Sequence, residues 1–285
     1  MKLAIATSHD FAEKVAKRWG LQLGDRIAEN NRSLVYKASD PKGTYALKLL
    51  KTFGNSGEGG AKLFLDNLPP GLGPRMHRVN LSRTAFLMDW LEGPTLAELF
   101  ADGRQEEALD RLADSAARIS QLRFRFPWLF HRVTPKLVKS LDKAKAQMTG
   151  PQTDADLLRA IDLLKHLTDT MREERIIHGD LGFANVILTP AGPQIIDPKG
   201  YLADPAYECC TFVVPNRSDL TIADCITTAQ NRASRIAPAI NQDPNRLIGW
   251  GAVALARRIF RRDPTRKEAV EMKPYLSASL DLAEA

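Results

Sequence analysis

The stretch from Ile176 to Asp197 restricts the fold more than any other part of the chain. Ile176-Ile177 leads into His178-Gly179-Asp180-Leu181-Gly182-Phe183-Ala184-Asn185, then Val186-Ile187-Leu188, a Gly192-Pro193 turn and Gln194-Ile195-Ile196-Asp197. Apolar, β-prone runs on either side of a Gly-Pro turn read as a tight hairpin. Such a hairpin returns Asp180, Asn185 and Asp197 to the same end of two neighbouring strands. Two carboxylates and an amide are hard oxygen donors, the set that suits a magnesium ion that keeps several of its waters. Phosphoryl transfer asks for those three services: a carboxylate that accepts the acceptor hydroxyl's proton, an amide on the metal, and a second carboxylate bridging metal to phosphates. The Asp-x-x-x-x-Asn spacing, with a later Asp on a following strand, matches the catalytic loop and metal ligand of kinase chemistry. His-Gly-Asp alone would be ordinary turn chemistry. The triplet, the offset to Asn185 and the hairpin are specific in combination.

The rest of the chain divides around this hairpin. Phe11 to Trp19 has helical spacing. Ser33 to Ser39 and Thr44 to Leu50 are β-prone runs joined by Asp40-Pro41-Lys42-Gly43, strong turn chemistry. Ser56 to Leu65 reads as a short helix, and Arg75 to Val79 and Thr84 to Trp90 as strands. From Thr95 the texture is helical, over Leu96 to Phe100, Gln105 to Leu122, Val138 to Met148, and Asp154 to Glu174 with Thr153 as cap. Helical segments return at Ser218 to Ala237 and Asn245 to Phe260. A small antiparallel-sheet part (1–91) therefore precedes a larger, mainly helical part (92–285), with the boundary at Glu92-Gly93-Pro94.

If the helical part carries the reacting groups, the small part should hold the nucleotide. Lys48 lies on an otherwise apolar strand. It either faces solvent by strand alternation or reaches the α- and β-phosphates. Glu58, at the start of the next helix, would pair with it or simply cap that helix. Glu29-Asn30-Asn31-Arg32-Ser33 stands where a phosphate loop is needed. Asn tolerates left-handed backbone angles, and Ser33 could donate to a phosphate. Met88 to Leu91, with Met88 and Trp90, would be the hinge against which adenine stacks and hydrogen-bonds.

Composition excludes other classes. Hydrophobic residues at 44% and charged residues at 26% describe an ordinary globular protein. No apolar stretch is long enough to span a membrane, and the first residues are too short a run for a signal peptide, so a cytoplasmic location is expected. Cys209, Cys210 and Cys225 have no metal-site spacing and read as reduced, buried thiols. The net charge of +6 is spread out. Its one dense patch, Arg257, Arg258, Arg261, Arg262, Arg266 and Lys267, reads as a solvated helix face or a contact for an acidic partner. No aromatic interleaving accompanies it, so neither nucleic acid nor membrane is expected as a partner. Oligomeric state is not legible.

Ala46-Leu-Lys48, Met88-Asp-Trp-Leu-Glu-Gly93, the His178 to Asn185 loop and Ile196-Asp-Pro-Lys-Gly-Tyr-Leu-Ala-Asp-Pro205 together resemble the aminoglycoside phosphotransferase family. Asp197-Pro-Lys with Asp204-Pro-Ala, and Asn245-Arg-Leu-Ile-Gly-Trp250, are similar to its streptomycin 6-kinase and hydroxyurea-resistance kinase branch. The resemblance runs from about residue 20 to 260. It implies an α+β, two-lobed, protein-kinase-like fold that uses ATP and magnesium to phosphorylate a small-molecule hydroxyl. On matching positions Asp180 is the catalytic base, Asn185 and Asp197 hold magnesium and Lys48 orients the phosphates. Asp204 and His178 are structural supports of the catalytic loop. The first acceptor to expect is a streptomycin-like aminoglycoside; the alternatives are hydroxyurea, a sugar, an amino alcohol or an amino acid. An aminoglycoside is a polycation and calls for carboxylates, which Glu208, Asp219, Asp224 and Asp243 could supply, whereas an arginine-lined pocket would point to an acidic metabolite. A protein kinase is disfavoured, because Asp197 is followed too soon by Asp204-Pro205 to leave room for an activation loop. A pseudokinase that binds ATP without turnover would lack one of Asp180, Asn185 and Asp197, and all three are present.

Overall fold

The computed structural model describes residues 9–30, 33–51, 58–80, 82, 84–148, 154–215, 220–261 and 265–285, without the side chains of Glu58 and Gly59. Helix α1 (His9–Trp19) precedes three strands, β1 (Gln22–Glu29), β2 (Ser33–Asp40) and β3 (Gly43–Leu50). Helix α2 (Glu58–Asp66), β4 (Met76–Val79) and β5 (Ala85–Asp89) complete the first part. These strands form one antiparallel sheet in the order β1-β2-β3-β5-β4. The β2–β3 hairpin closes where Asp40 Oδ1 accepts from the Lys42 and Gly43 amides, as the Asp-Pro-Lys-Gly turn predicts.

Strand alternation decides what this sheet presents. Leu34, Tyr36 and Ala38 of β2, Leu47 and Leu49 of β3, and Ala85 and Leu87 of β5 are buried with Ala12, Val15 and Ala16 of α1. The intervening residues of β3, Ala46 and Lys48, therefore face the opposite side, toward the helical part.

Helix α3 (Leu96–Ala101) opens with a capping box between Thr95 and Glu98, and α4 (Gln105–Ser120) follows. A two-residue strand, β6 (His131–Arg132), leads into α5 (Thr134–Gln147) and α6 (Ala155–Asp169). The cap of α6 is Asp154, whose carboxylate accepts from the Asp156 and Leu157 amides; the expected cap, Thr153, lies outside the described residues. Next come β7 (Arg175–Ile177), the hairpin β8 (Val186–Thr189) and β9 (Gly192–Ile195), and β10 (Tyr201–Ala203). The chain ends with α7 (Cys210–Val213), α8 (Ile222–Ala239), α9 (Pro244–Phe260) and α10 (Lys267–Glu284). Leu247, Trp250, Val253 and Ile259 of α9 are buried at the centre of the larger core.

Helix α2 belongs to this larger core and not to the sheet's. Its Phe64 is fully buried and meets the His178 ring edge-on at 5.9 Å. Near its start the backbone of Gly60 lies directly on that of Lys199 and Gly200: a β-carbon on Gly60 would sit 2.5 Å from both carbonyl oxygens. We expect Gly60→Ala to cost about 2 kcal/mol, as overpacking of a fixed backbone contact does. A urea midpoint unchanged from wild type would show that the crossing can open without cost.

Within the arginine patch Arg258, Arg261 and Lys267 are exposed, as a solvated helix face would be. Arg258 pairs with Glu268 at 2.8 Å across α9 and α10, and Lys267 reaches Glu271. Arg262 lies outside the described residues. The three cysteines are reduced and buried, as expected, and no helix among the described residues is long and apolar enough to cross a membrane.

Candidate active site

The hairpin pairs Val186 with Ile195, and the Ile196 amide donates to the Asn185 carbonyl at 2.9 Å. Those two contacts set Asn185 beside Asp197. Asp180 joins them because the Asn185 amide nitrogen donates to the Asp180 carbonyl at 2.7 Å. With its nitrogen so engaged, the Asn185 side chain offers its carbonyl oxygen, and Asp197 adds a carboxylate. This hard-oxygen pair fits a magnesium ion. Asp197 sits in the left-handed region at φ 56°, which costs a non-glycine residue about 1–2 kcal/mol. Strain of this kind gathers where geometry matters more than local stability.

Lys48 crosses from the sheet to Asp197, its Nζ 2.5 Å from Oδ1. Burial alone would raise the Asp197 carboxyl, but Lys48, then Lys199, outweigh it and hold the group below the usual carboxylate range. Strand alternation does turn Lys48 away from the small core, as one reading foresaw. The face it turns to is the cleft between the lobes and not open solvent.

Above this ion pair lies a cavity of about 180 Å³, lined by Ala28, Val35, Ala61, Leu65, Met76, Phe86, Met88, Ile196 and Pro198 with Lys48 and Asp197 at one end. Its shape and largely apolar walls suit a purine base with phosphates toward the charged end. Met88, Ser33 and Asn30 are among its walls. The Asn30 side-chain oxygen accepts from the Ser33 amide at 2.8 Å and from its hydroxyl at 3.4 Å, closing the turn at the cavity's edge. Asn31 and Arg32 lie outside the described residues. Trp90 is not among those walls. It lines a second cavity with Leu68, Pro74, Arg75 and Asp89, and Lys37 stands 4.8 Å over its ring. Glu58 opens α2, but its side chain lies outside the described residues, so the pairing expected with Lys48 does too.

The catalytic loop is held from below by two buried groups. His178 is fully buried, with Nε2 2.9 Å from the Ile196 carbonyl and Nδ1 facing the Asp180 amide at 3.3 Å. One nitrogen must donate and the other accept, so the ring is neutral, and burial pushes its pKa down to about 4. The second group corrects the expectation for Asp204. It is Glu208 whose carboxylate takes the His178 and Gly179 amides at 2.9 and 3.0 Å. Burial pushes Glu208 up to about 7 against the pull of those two donors. Asp204 instead caps the turn at Ala206 and binds Arg246 through Nε and Nη2 at 2.9 and 2.5 Å, tying α9 to the end of α6.

Lys199 is the residue that sequence reasoning passed over. Its Nζ stands 3.2 Å from Asp180 Oδ2 and 3.7 Å from Asp197 Oδ2. A lysine two positions after Asp197, in an otherwise apolar segment, was the available signal. Glu208 carried a fainter one, a lone acid in Pro205-Ala-Tyr-Glu-Cys-Cys210.

A five-stranded antiparallel sheet set on a helical body, with a lysine crossing the cleft to an Asp-Asn-Asp group, defines a small-molecule kinase of protein-kinase-like fold. The family model described as "Aminoglycoside/hydroxyurea antibiotic resistance kinase" matches residues 18–259, and the chain belongs to that family. No curated protein is significantly similar in sequence. Among solved structures, aminoglycoside phosphotransferase APH(4)-Ia superposes with a TM-score of 0.71 at 14% identity, over 97% of this chain and 99% of that one. A thermostable mutant of it, in a ternary complex with AMP-PNP and hygromycin B, gives 0.69 at 15%, over 95% and 97%. A choline/ethanolamine kinase family protein from Mesorhizobium loti gives 0.64 at 14%, over 93% and 88%. At these identities the likeness concerns the fold.

Proposed function

We propose that the protein transfers the γ-phosphoryl group of ATP, with magnesium, to a hydroxyl of a small molecule, and that a streptomycin-like aminoglycoside is the first acceptor to test. The observation that carries the reaction is that Lys48 and Asp197 meet at the charged end of the cleft cavity, with Asn185 and Asp180 joined to each other beside Asp197. In this reading residues up to 91 bind the nucleotide and the remainder carries catalysis and acceptor binding, in the cytoplasm. Asn185 and Asp197 would hold magnesium, which neutralises charge on the β- and γ-phosphates when bound. Lys48 orients the phosphates, Asp180 accepts the proton of the attacking hydroxyl, and Glu208 with His178 keep the loop in place. The aminoglycoside reading draws on the family and on the hygromycin B bound to the neighbouring fold.

A second reading, a neutral or acidic metabolite, is favoured by one observation. Three of the four carboxylates that could line a polycation site have other work. Glu208 is buried under the loop, and Asp224 and Asp243 stand at the N-termini of α8 and α9, Asp243 as the cap. Asp219 lies outside the described residues. A coupled ADP-release screen over streptomycin, other aminoglycosides, hydroxyurea, sugars, amino alcohols and amino acids separates the two. Magnesium-dependent turnover on an aminoglycoside at a kcat/KM at least tenfold above the others supports the first reading. The reverse order assigns the second. Magnesium-independent turnover, or none on any acceptor, would remove the proposal.

A further inference from the structure

We propose that Lys199 is a catalytic residue of the transfer step: its ammonium contacts the γ-phosphoryl group as it moves between ADP and the acceptor oxygen. The proposal rests on the phosphotransfer reading above and adds a residue to it. The observations are geometric. Lys199 Nζ lies between the two carboxylates that bracket the reaction, 3.2 Å from Asp180 Oδ2 and 3.7 Å from Asp197 Oδ2. The acceptor oxygen must come to Asp180 and the phosphates to Asp197, so a cation touching both stands where the phosphoryl group crosses.

The backbone holds it there. The Lys199 amide donates to the His178 carbonyl at 2.8 Å, and the Gly200 amide reaches the same oxygen at 3.2 Å. On the other side Gly60 presses on the Lys199 and Gly200 carbonyls. The lysine is thus clamped between the catalytic loop and α2. The catalytic loop itself supplies no cation: Asp180 is followed by Leu181, Gly182 and Phe183, with Gly182 packed against the Phe212 ring. Lys48 approaches the other oxygen of Asp197, on the nucleotide side. The two lysines therefore divide the cleft, one toward the phosphates that stay on the nucleotide and one toward the group that leaves it.

In the step itself the acceptor oxygen forms a bond to the γ-phosphorus, and the bond from that phosphorus to the β–γ bridging oxygen breaks. The electron pair leaves with ADP. The hydroxyl proton goes to Asp180, whose Oδ2 is engaged by Lys199 and whose Oδ1 is left for the acceptor. Lys199 neither gains nor loses a proton. Its positive charge opposes the negative charge on the equatorial oxygens of the transferring group, and a preorganised donor aimed at developing charge contributes mainly in the transition state.

The test combines turnover with binding. Lys199→Met, close in shape and uncharged, is expected to lower kcat about a hundredfold, the scale of losing one such donor. Its affinity for ADP with magnesium should stay within twofold of wild type by calorimetry. The tighter binding that aluminium fluoride confers on that ADP complex, a mimic of the planar phosphoryl group, should fall at least tenfold. Lys199→Arg should recover part of both losses, because it restores charge. A kcat within threefold of wild type in Lys199→Met would overturn the proposal. So would an undiminished response to aluminium fluoride, or a Lys199→Arg variant no better than Lys199→Met. If wild type itself turns over no acceptor while Lys199→Met still loses the aluminium fluoride response, the phosphotransfer reading fails and the contact stands.

Discussion

Asp180→Asn is expected to lower kcat about a thousandfold, in the range of removing a positioned general base, while leaving ATP affinity within twofold. The two halves of that expectation come from different walls. Asparagine keeps the shape of the side chain and leaves the Asp180 carbonyl free to accept from Asn185, so the loop should not move. The cavity proposed for the nucleotide is lined by the sheet, α2 and the Ile196-Asp197-Pro198 corner, and Asp180 is not part of it. An uncharged amide cannot take the hydroxyl proton, and it also removes the negative partner of Lys199. Single-turnover phosphorylation with the best acceptor, beside calorimetric titration of ATP with magnesium, separates chemistry from binding. A kcat that stays within tenfold of wild type would mean that another group accepts the proton. Loss of ATP binding in parallel would mean that the substitution had disturbed the loop and not the chemistry alone.

The three residues proposed for the chemistry could be grouped from the sequence because they flank one hairpin. Asp180, Asn185 and Asp197 are brought together by local structure, the kind that turn residues and β-prone runs encode. Lys48 was legible in part: alternation placed it on one face of β3, but which face met the cleft depended on where α1 packs. Local pattern failed where the information is long-range. Glu208 bonds to an amide thirty positions away, and nothing in its own neighbourhood marks that partner. Asp204, four residues earlier, has the stronger turn chemistry and drew the assignment. Trp90 sits in a hinge whose backbone direction is plain and whose side-chain direction is not. Among the elements, β1 was missed because it is an edge strand with almost every residue exposed, so no alternation shows. The final helix, α10, was not assigned, and Pro274 in its interior is a local signal against a helix. Proline there removes one backbone donor, and packing against α9 overrides the local penalty.

Glu208→Gln is expected to reveal a stability slope that the wild type conceals. Two buried groups beneath the catalytic loop titrate in opposite senses over the same range. His178, pushed down to about 4 from 6.5, binds a proton in the unfolded chain before the folded one, so its contribution is lost as pH falls from 6.5 toward 4. Glu208, pushed up to about 7 from 4.5, keeps a proton in the folded chain after the unfolded one has lost it, so its contribution is present below 4.5 and lost as pH rises through 7. Between 4.5 and 6.5 the unfolded state binds a proton at the histidine and the folded state binds one at the glutamate. The slopes, each about 1.4 kcal/mol per pH interval of one, cancel. Urea denaturation of the wild type should therefore show little pH dependence from these two groups in that window. Glutamine cannot titrate, so the variant's stability should climb by roughly 3 kcal/mol from pH 4.5 to 6.5, the histidine's contribution alone. Glutamine also presents an amide nitrogen to one of the two backbone donors it replaces, leaving His178 N or Gly179 N without its acceptor. Catalysis should fall with it, about tenfold in kcat, because Asp180 directly follows those amides. A wild-type profile that climbs as steeply as that of Glu208→Gln would show that the carboxyl is ionised in the folded protein throughout the range. The two amide donors would then outweigh its burial, and the loop would rest on a buried charge.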